Sequence, residues 1–370
     1  MKILLLGDYS NVHATLAEGL RFLGHVVTVA SDGDGWKNYP RDVDLRRKGR
    51  GFWNGVKYML YLLWVFRQFR GYDVVHLINP IFLPLKAERI WPFYHYLRKN
   101  NKSVFLGAYG MDYYWVKAGM DCETFRYSDF NIGGVVRESR ENSIWIKDWL
   151  KGPKGALNRY IASDCDGIVA GLYEYYASYV SSFSGKLIFI PFPIHVDKYL
   201  LKVPNQSGKL KFFIGIQRER NAYKGTDIMY NALKRVEQKY PEKCEICKVE
   251  SVPFSEYIQL MRGCDVILDQ LYSYTPAMNA LEAMAQGLVV VGGGEPENYD
   301  ILGETELKPI VNVEPNEESV YSALCELVEK ADKIALYSLN SRLYVKYHHD
   351  YVKVAQQYLD FWQQLGKNPA

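Results

Sequence analysis

Short apolar runs alternate with helical stretches along this 370-residue chain, and this alternation constrains its fold more than any other feature. The runs 3–6, 26–30 and 74–78 are flanked by Gly and Asp, which is typical of parallel strands that are buried on both faces. After the polar stretch 202–209 the pattern starts again with the run 212–216. Because single cores rarely grow beyond roughly 250–300 residues, we predict two α/β domains that are joined at this stretch.

The charge balance and the cysteines exclude several classes of protein. The 45 Lys and Arg exceed the 42 Asp and Glu by only three, so the net charge is too small to attract nucleic acid to the protein as a whole. The six cysteines are scattered, which indicates a reducing compartment and predicts a cytoplasmic protein. Cys244 and Cys247 form one C-x-x-C pair with no second pair at zinc spacing, so we interpret them as small apolar residues on a strand.

The segment 46–70 combines basic residues with an apolar helical pattern. Its longest apolar run, 58–66, is far shorter than the roughly 20 residues of a membrane span, and the run 3–6 is too short for a signal-peptide core. A basic aromatic helix can instead lie in an anionic membrane surface, although a core or interdomain helix would show a similar pattern. The stripe that we expect to be apolar consists of Phe52, Val56, Met59, Leu63 and Phe66.

The stretch 269–297 contains the clearest helix signals in the second half. Thr275 is a suitable N-cap, Pro276 suits the first helical position and Gly287 suits the stop, so we predict a helix over 276–286. This helix follows a strand, which places its free N–H groups at the sheet edge where anionic ligands bind.

Five residues in or after this helix are candidates for donor binding. Met278 and Asn279 stand near the helix N-terminus, where N–H groups can hold a diphosphate. Glu282 has apolar neighbours, so its carboxylate is expected to be enclosed and to need hydroxyl or N–H partners, the alternative being a solvated surface residue. Gly293 and Gly294 permit close approach of a ligand to the backbone, although a plain turn would need them equally.

Three cations, Arg218, Arg220 and Lys224, follow the run 212–216 and form a local positive cluster. Planar guanidinium groups beside an ammonium group can hold a diphosphate without a metal ion. The alternative interpretation is a solvated basic loop.

Together these segments resemble the retaining glycosyltransferases of the GT-B fold, family 4 (glycosyl transferases group 1), over nearly the whole chain. The resemblance implies two Rossmann-like domains with a cleft between them, the second of which holds a nucleotide-sugar. We expect an acceptor-binding domain over 1–201, a nucleotide-sugar-binding domain over 202–345, and a C-terminal helix over 346–370 that packs back on the first domain.

The resemblance is carried by matching residues in the second domain. Arg218 and Lys224 have the family's six-residue separation, although Gln217 replaces the usual Gly. Glu282, followed by Ala-Met-Ala, matches the glutamate that binds the ribose of the donor. Tyr274 stands where the family has the Glu that contacts the transferred sugar, and Glu295 could supply a carboxylate from another direction.

In the first half the resemblance assigns roles to five further residues. Gly7 belongs to the loop that faces the donor phosphates across the cleft. His13, His76 and Tyr109 lie in segments on the acceptor side, with Tyr109 in place of the family's His. Asp112 is the remaining acid near the reaction centre, although an Asx turn explains it equally well, and both histidines suit structural roles.

The resemblance implies a hexosyltransferase that moves a sugar from a nucleotide-sugar donor to a glycan or lipid-linked acceptor, retaining and without metal or other cofactor. We expect this activity in bacterial surface polysaccharide synthesis, with the protein in the cytoplasm or peripheral at the inner face of the plasma membrane. Tyr109 and Tyr274 motivate an alternative, a catalytically inactive nucleotide-sugar-binding protein or partner subunit. An epimerase or phosphorylase on the same fold is a weaker third interpretation.

Overall fold

Two parallel β-sheets, one in each half of the chain, organise the protein. The computed structural model describes residues 1–203, 208–216, 221–250, 252 and 254–366. Both sheets form where the sequence has uninterrupted apolar runs, because a strand covered by helices on both faces buries every side chain. Most of the strands named from the sequence are confirmed within one or two residues.

The first sheet has seven parallel strands. Their order along the sheet is β3-β2-β1-β4-β5-β8-β9, so the direction of winding reverses between β1 and β4, and ligands of such sheets bind outside the carboxyl ends of the strands at that point. The strands are β1 (Lys2–Leu6), β2 (Val26–Ser31), β3 (Val43–Asp44), β4 (Val74–Leu77), β5 (Ser103–Ala108), β8 (Gly167–Ala170) and β9 (Leu187–Phe189); a separate antiparallel hairpin comprises β6 (Asn131–Ile132) and β7 (Val135–Val136).

The second sheet has five parallel strands in the order β11-β10-β12-β13-β14. Its winding reverses between β10 and β12, which gives the second sheet a ligand-binding edge of the same kind. The strands are β10 (Leu210–Ile216), β11 (Cys244–Glu250), β12 (Val266–Leu268), β13 (Val289–Gly292) and β14 (Val311–Asn312). Cys244 and Cys247 lie on β11 as expected, and both thiols are free.

Helices cover the faces of both sheets. In the first half they are α1 (Val12–Phe22), α2 (Phe52–Phe66), α3 (Trp91–Asn100), α4 (Tyr113–Met120), α5 (Arg140–Ile146), α6 (Pro153–Asp164) and α7 (Tyr173–Phe183). In the second half they are α8 (Asn221–Lys224), α9 (Thr226–Lys239), α10 (Phe254–Arg262), α11 (Met278–Ala285), α12 (Pro296–Leu302), α13 (Glu317–Glu329), α14 (Ile334–His348) and α15 (Tyr351–Leu365). No helix within these ranges has the length and apolar character that crossing a bilayer requires.

The last helix, α15, packs back on the first half of the chain, as the sequence predicts. A Cβ atom on Gly19 of α1 would lie 2.2 Å from the carbonyl oxygen of Tyr351, so α1 and α15 are in close contact at this glycine. At the other end of α15, the ring of Trp362 lies 6.1 Å from that of Phe105 on β5. The C-terminal helix therefore completes the core of the first half.

Candidate active site

Glu282 lies on α11 at the boundary between the two halves. Its side chain is buried, and among the described residues one donor reaches the carboxylate, the Tyr199 hydroxyl at 3.0 Å. Burial raises the pKa of Glu282 to about 7, against the smaller opposing effects of the Tyr199 hydrogen bond and of Lys37. The enclosure and the hydroxyl partner expected from the sequence are confirmed.

The start of α11 differs from the prediction. The helix begins at Met278 after an extended Ala277 and not at Pro276, and Thr275 is not its N-cap. The Thr275 hydroxyl instead donates a hydrogen bond to Glu174 of the first half, a partner that no local pattern reveals. Gly287 follows the C-cap with φ of +83°, as predicted for the helix stop.

Asn279, in the first turn of α11, ties the helix to its surroundings. Its amide nitrogen donates to Asp269 at 2.8 Å, and its amide oxygen accepts from the Tyr257 hydroxyl at 3.1 Å. Met278 is buried beside it. No side chain in the described part of the chain caps the N–H groups at this helix start, which leaves them available to a ligand.

The loop before α11 is held by a carboxylate from the other half. Glu174 on α7 is buried and accepts hydrogen bonds from the backbone N–H of Tyr274 at 2.7 Å and of Thr275 at 3.1 Å. The hydroxyls of Ser273 and Thr275 also donate to it. Burial raises the pKa of Glu174 despite these donors. Sequence reasoning missed this residue, because a Glu near a helix start is usually solvated.

Tyr274 takes part in the same contact between the halves. Its hydroxyl accepts a hydrogen bond from the backbone N–H of Arg126 at 2.7 Å, and the Arg126 guanidinium lies 4.9 Å from the centre of its ring. The rings of Tyr127 and Tyr173 pack on it with centroid distances of 4.9 and 5.8 Å. The residue in the position of the expected sugar-contacting carboxylate is therefore buried in an aromatic cluster.

Glu295 contacts the loop before α11 through its backbone, since its N–H donates to the Tyr274 carbonyl at 3.1 Å. Its carboxylate, however, pairs with Arg126 at 2.8 Å and accepts from the Tyr127 hydroxyl at 2.5 Å. Arg126 also forms a forked pair with Glu297. The carboxylate that sequence reasoning offered for the sugar thus joins the two halves.

The glycines after β13 serve protein contacts. A Cβ atom on Gly293 would lie 2.3 Å from the carbonyl oxygen of Ser273, and one on Gly294 would lie 2.8 Å from the Ile310 side chain. The close backbone approach that we expected toward a ligand is made here toward the loop before α11 and toward Ile310.

The basic cluster is described only in part. Lys224 ends α8 and is half-buried, and its carbonyl accepts from the Leu271 N–H at 3.0 Å. Arg218 and Arg220 lie outside the described residues. No group of three or more His, Cys, Asp or Glu side chains that could hold a metal ion occurs in the part of the chain that is described.

The loop after β1 is held by close contacts and hydrogen bonds in the first half. Gly7 has φ of +81°, and a Cβ atom there would lie 2.3 Å from Ile78. The imidazole Nδ1 of His13 lies 2.7 Å from the Gly7 carbonyl oxygen, and burial lowers the pKa of His13 to about 3. Asp8 accepts from the N–H groups of His13 and Ala14 at 3.0 and 3.2 Å, and burial raises its pKa to about 7.

The residues expected on the acceptor side point into the core of the first half. The Tyr109 hydroxyl lies 3.2 Å from Nε2 of His76 and is also hydrogen-bonded to the Tyr358 hydroxyl on α15. His13 packs edge-on against His76, and all these side chains are buried. In this structure the side chains of His13, His76 and Tyr109 contact one another and α15, and their acceptor role stays a prediction.

Asp112 is also hydrogen-bonded inside the first half. It is the N-cap of α4, accepting from the Trp115 N–H at 2.9 Å and from the Tyr179 hydroxyl at 2.7 Å. The side chain is fully buried, and burial raises its pKa to about 6. Of the two interpretations made from the sequence, the capping turn is the one that the structure supports.

A cavity of about 390 Å³ lies between the halves on the Tyr199 side of the interface. The first half contributes Asn11 and Thr15 to its wall, and the second half contributes Arg262 and Gln286, which is one helical turn beyond Glu282. Glu282 thus lies close to open space between the two halves.

Comparisons with solved structures agree with this architecture, whereas no family model and no curated protein matches the chain. Anabaena Alr3699/HepE, solved with UDP and glucose, is 13% identical with a TM-score of 0.61, over 98% of this chain and 100% of that one. The catalytic domain of Arabidopsis thaliana starch synthase IV, solved with ADP and acarbose, is 10% identical with a TM-score of 0.62, over 100% of both chains. UDP-GlcNAc 2-epimerase of Neisseria meningitidis is 13% identical with a TM-score of 0.55, over 98% of this chain and 100% of that one. At such identities the likeness establishes the fold, and the chain has the GT-B fold with a helix that crosses back.

Proposed function

We propose that the protein is a glycosyltransferase that moves a hexose from a nucleotide-sugar to a glycan or lipid-linked acceptor. The observation that carries the proposal is Glu282, a buried carboxylate with one hydroxyl partner among the described residues, at the interface of two GT-B halves. The starch synthase and HepE, which share the fold, were solved with ADP and UDP respectively. We further propose retention of configuration, independence of metal ions, and a role in surface polysaccharide synthesis at the cytoplasmic side of the membrane.

In this proposal each group acts on a defined part of the donor. A ribose hydroxyl takes the place of the Tyr199 hydroxyl as the donor to Glu282. Because this side chain is already buried, the exchange buries no additional charge. The uncapped N–H groups at the start of α11 bind the diphosphate, and Lys224 neutralises it as the bond between the sugar C1 and the phosphate oxygen breaks. C1 then bonds to the acceptor hydroxyl oxygen, whose proton passes to the departing diphosphate. Removal of one such donor is expected to cost on the order of 10²–10³ in rate.

A second function, nucleotide-sugar binding without transfer, is favoured by a specific observation. Asp112 is buried and accepts from the Trp115 N–H and the Tyr179 hydroxyl, and the buried Tyr109 hydroxyl is bonded to that of Tyr358, so both polar groups already have partners within the protein. Tyr274 has its hydroxyl in contact with Arg126. Both functions need the donor site at Glu282, and they differ in turnover.

The test is nucleotide release from a panel of nucleotide-sugars by the full chain, with and without glycan acceptors and in the presence of EDTA. The transferase proposal expects acceptor-stimulated release that Glu282→Gln and Lys224→Ala each reduce at least about 100-fold. Lys234→Ala on α9 and Glu326→Gln on α13 are exposed matched controls that should leave the rate unchanged. Tight binding without release would establish the binding protein, and release unaffected by the two cleft variants would overturn both proposals.

A further inference from the structure

Helix α2 exposes a row of large apolar side chains on the surface of the first half. These side chains are between 37% and 76% exposed, which is unusual for a single helix of a folded protein. They are Phe52, Trp53, Val56, Leu60, Leu63 and Trp64. The stripe expected from the sequence is corrected in part, because Phe66 is buried and Met59 is half-buried, while Leu60 and Trp64 face outward.

The opposite face of α2 is fixed to the body of the protein. The Tyr58 hydroxyl donates to the Leu45 carbonyl at 2.7 Å, and the Tyr61 hydroxyl donates to the Asp44 carbonyl at 2.7 Å. Leu62 and Val65 are buried beneath the helix. The exposed face is therefore held outward by packing, so binding through it needs no refolding of the helix.

The sequence that contains this helix carries charge of one sign. Between Asp44 and Asp73 the sequence has seven cations and no acidic residue, while the whole chain has a net charge of +3. The remaining residues therefore carry a net charge of −4. The seven cations are Arg46, Arg47, Lys48, Arg50, Lys57, Arg67 and Arg70.

We propose that α2 and the basic segment 46–50 form a membrane-binding surface that takes an anionic lipid bilayer as its partner. Tryptophan and other large apolar side chains insert at the boundary between headgroups and acyl chains, and the surrounding cations attract anionic headgroups. Self-association of two copies through this face is disfavoured, since it would bring two sets of seven cations together.

The basic segment 46–50 contacts a loop at the carboxyl edge of the first sheet, where ligands of such sheets bind. The Arg46 guanidinium donates to the carbonyl oxygen of Asp32, in the loop at the carboxyl end of β2, which is the sheet edge where the cleft opens. A membrane docked on α2 therefore lies beside the cleft and fits a lipid-linked acceptor. This last step rests on the proposed function, whereas vesicle binding does not.

Flotation of the full chain with vesicles tests membrane binding independently of the proposed function. We expect the protein to float with vesicles that contain phosphatidylglycerol, to float far less with phosphatidylcholine alone, and to be released by high salt. Trp53→Ser combined with Leu60→Ser and Trp64→Ser should lower the bound fraction at least tenfold. Arg47→Gln combined with Lys48→Gln and Arg50→Gln should weaken binding to the anionic vesicles.

The matched control replaces three other exposed apolar residues, Phe22→Ser, Leu336→Ser and Leu339→Ser, on α1 and α14. This variant should float like the wild type, and thermal melting by circular dichroism checks that all three triple variants are folded. The proposal is overturned if the wild type does not float, or if the α2 variant floats as well as the control. It is also overturned if sedimentation shows a dimer without vesicles that the α2 triple variant alone dissociates.

Discussion

Two buried glutamates at the interface between the halves, Glu174 and Glu282, have opposite surroundings. Glu174 belongs to the first half, and four donors from the loop before α11 satisfy its carboxylate. Glu282 belongs to the second half, and a single donor, the Tyr199 hydroxyl, reaches it among the described residues. The comparison separates a carboxylate that fastens the halves from one that can still accept hydrogen bonds from a ligand.

The interface between the halves is tightly packed on the Glu174 side and contains a cavity on the Glu282 side. On the Glu174 side, Arg126, Tyr127 and Glu295 complete a network of ion pairs and hydrogen bonds around Tyr274. On the Glu282 side, a cavity separates α1 from α10. Tyr199, the hydrogen-bond partner of Glu282, lines this cavity, so open space lies next to the group that a ligand would replace.

The largest expected effect is that of Glu174→Leu. The substitution leaves two backbone N–H groups and two hydroxyls without their acceptor, and a single buried unsatisfied donor costs about 1–3 kcal/mol. We expect the free energy of unfolding to fall by about 3 kcal/mol or more in chemical denaturation. Glu174→Gln, which keeps one acceptor oxygen, should lose less. Equal stability of the leucine variant and the wild type would show that the network does not fasten the halves.

The next effect is a pH dependence that belongs to Glu282. Its pKa of about 7 in the folded protein lies above its ordinary value of 4.5, so the folded state holds a proton that the unfolded state has lost. The free energy of unfolding should therefore fall as the pH rises from about 4.5 to about 7, by up to about 3 kcal/mol from this group. The free energy of unfolding, measured by chemical denaturation at each pH in this range, should change less for Glu282→Gln than for the wild type.

Asp8 and Asp112 also have raised pKa values, so the free energy of unfolding of Glu282→Gln still falls with pH, although less steeply than that of the wild type. The quantity to compare is the difference between the two pH profiles. Parallel profiles for the wild type and Glu282→Gln would mean that the carboxylate is solvated in the folded protein.

The smallest expected effect is that of Arg126→Ala. The guanidinium is about half exposed, so its ion pairs with Glu295 and Glu297 are partly screened by solvent. We expect a loss of about 1 kcal/mol in the free energy of unfolding, since Glu295 keeps its hydrogen bonds to Tyr127 and Asn312. Arg159→Ala, an exposed arginine on α6, is the control. A loss as large as that of Glu174→Leu would move the main fastening contact to Arg126.

The parts of the fold that depend on local patterns could be predicted from the sequence. Apolar runs located most strands of both sheets, because a strand that is buried on both faces needs several consecutive apolar residues, whereas the two-residue edge strands β3 and β14 have no such run. The start of α11 could not be predicted, since Thr275 binds Glu174, which lies 101 residues away. The inward orientation of Tyr109 depends on Tyr358, 249 residues away, and on His76.

For the site, the surroundings of Glu282 could be predicted, whereas those of Asp112 and Tyr109 could not. The apolar neighbours of Glu282 correctly predicted an enclosed carboxylate with a hydroxyl partner. The hydrogen bonds of Asp112 to Tyr179 and of Tyr109 to Tyr358 join residues that are far apart in the chain, so no local motif reveals them. The roles of Asp112 and Tyr109 in the reaction stay predictions.

Binding of nucleotides at Glu282 is the most direct test of the proposed donor site. Titration calorimetry of the full chain with UDP, GDP and ADP should show saturable binding of at least one nucleotide. Glu282→Gln should weaken that binding at least tenfold, and Glu326→Gln should not. Absence of binding for all three nucleotides, or equal affinity of the wild type and Glu282→Gln, would contradict a donor site at this interface.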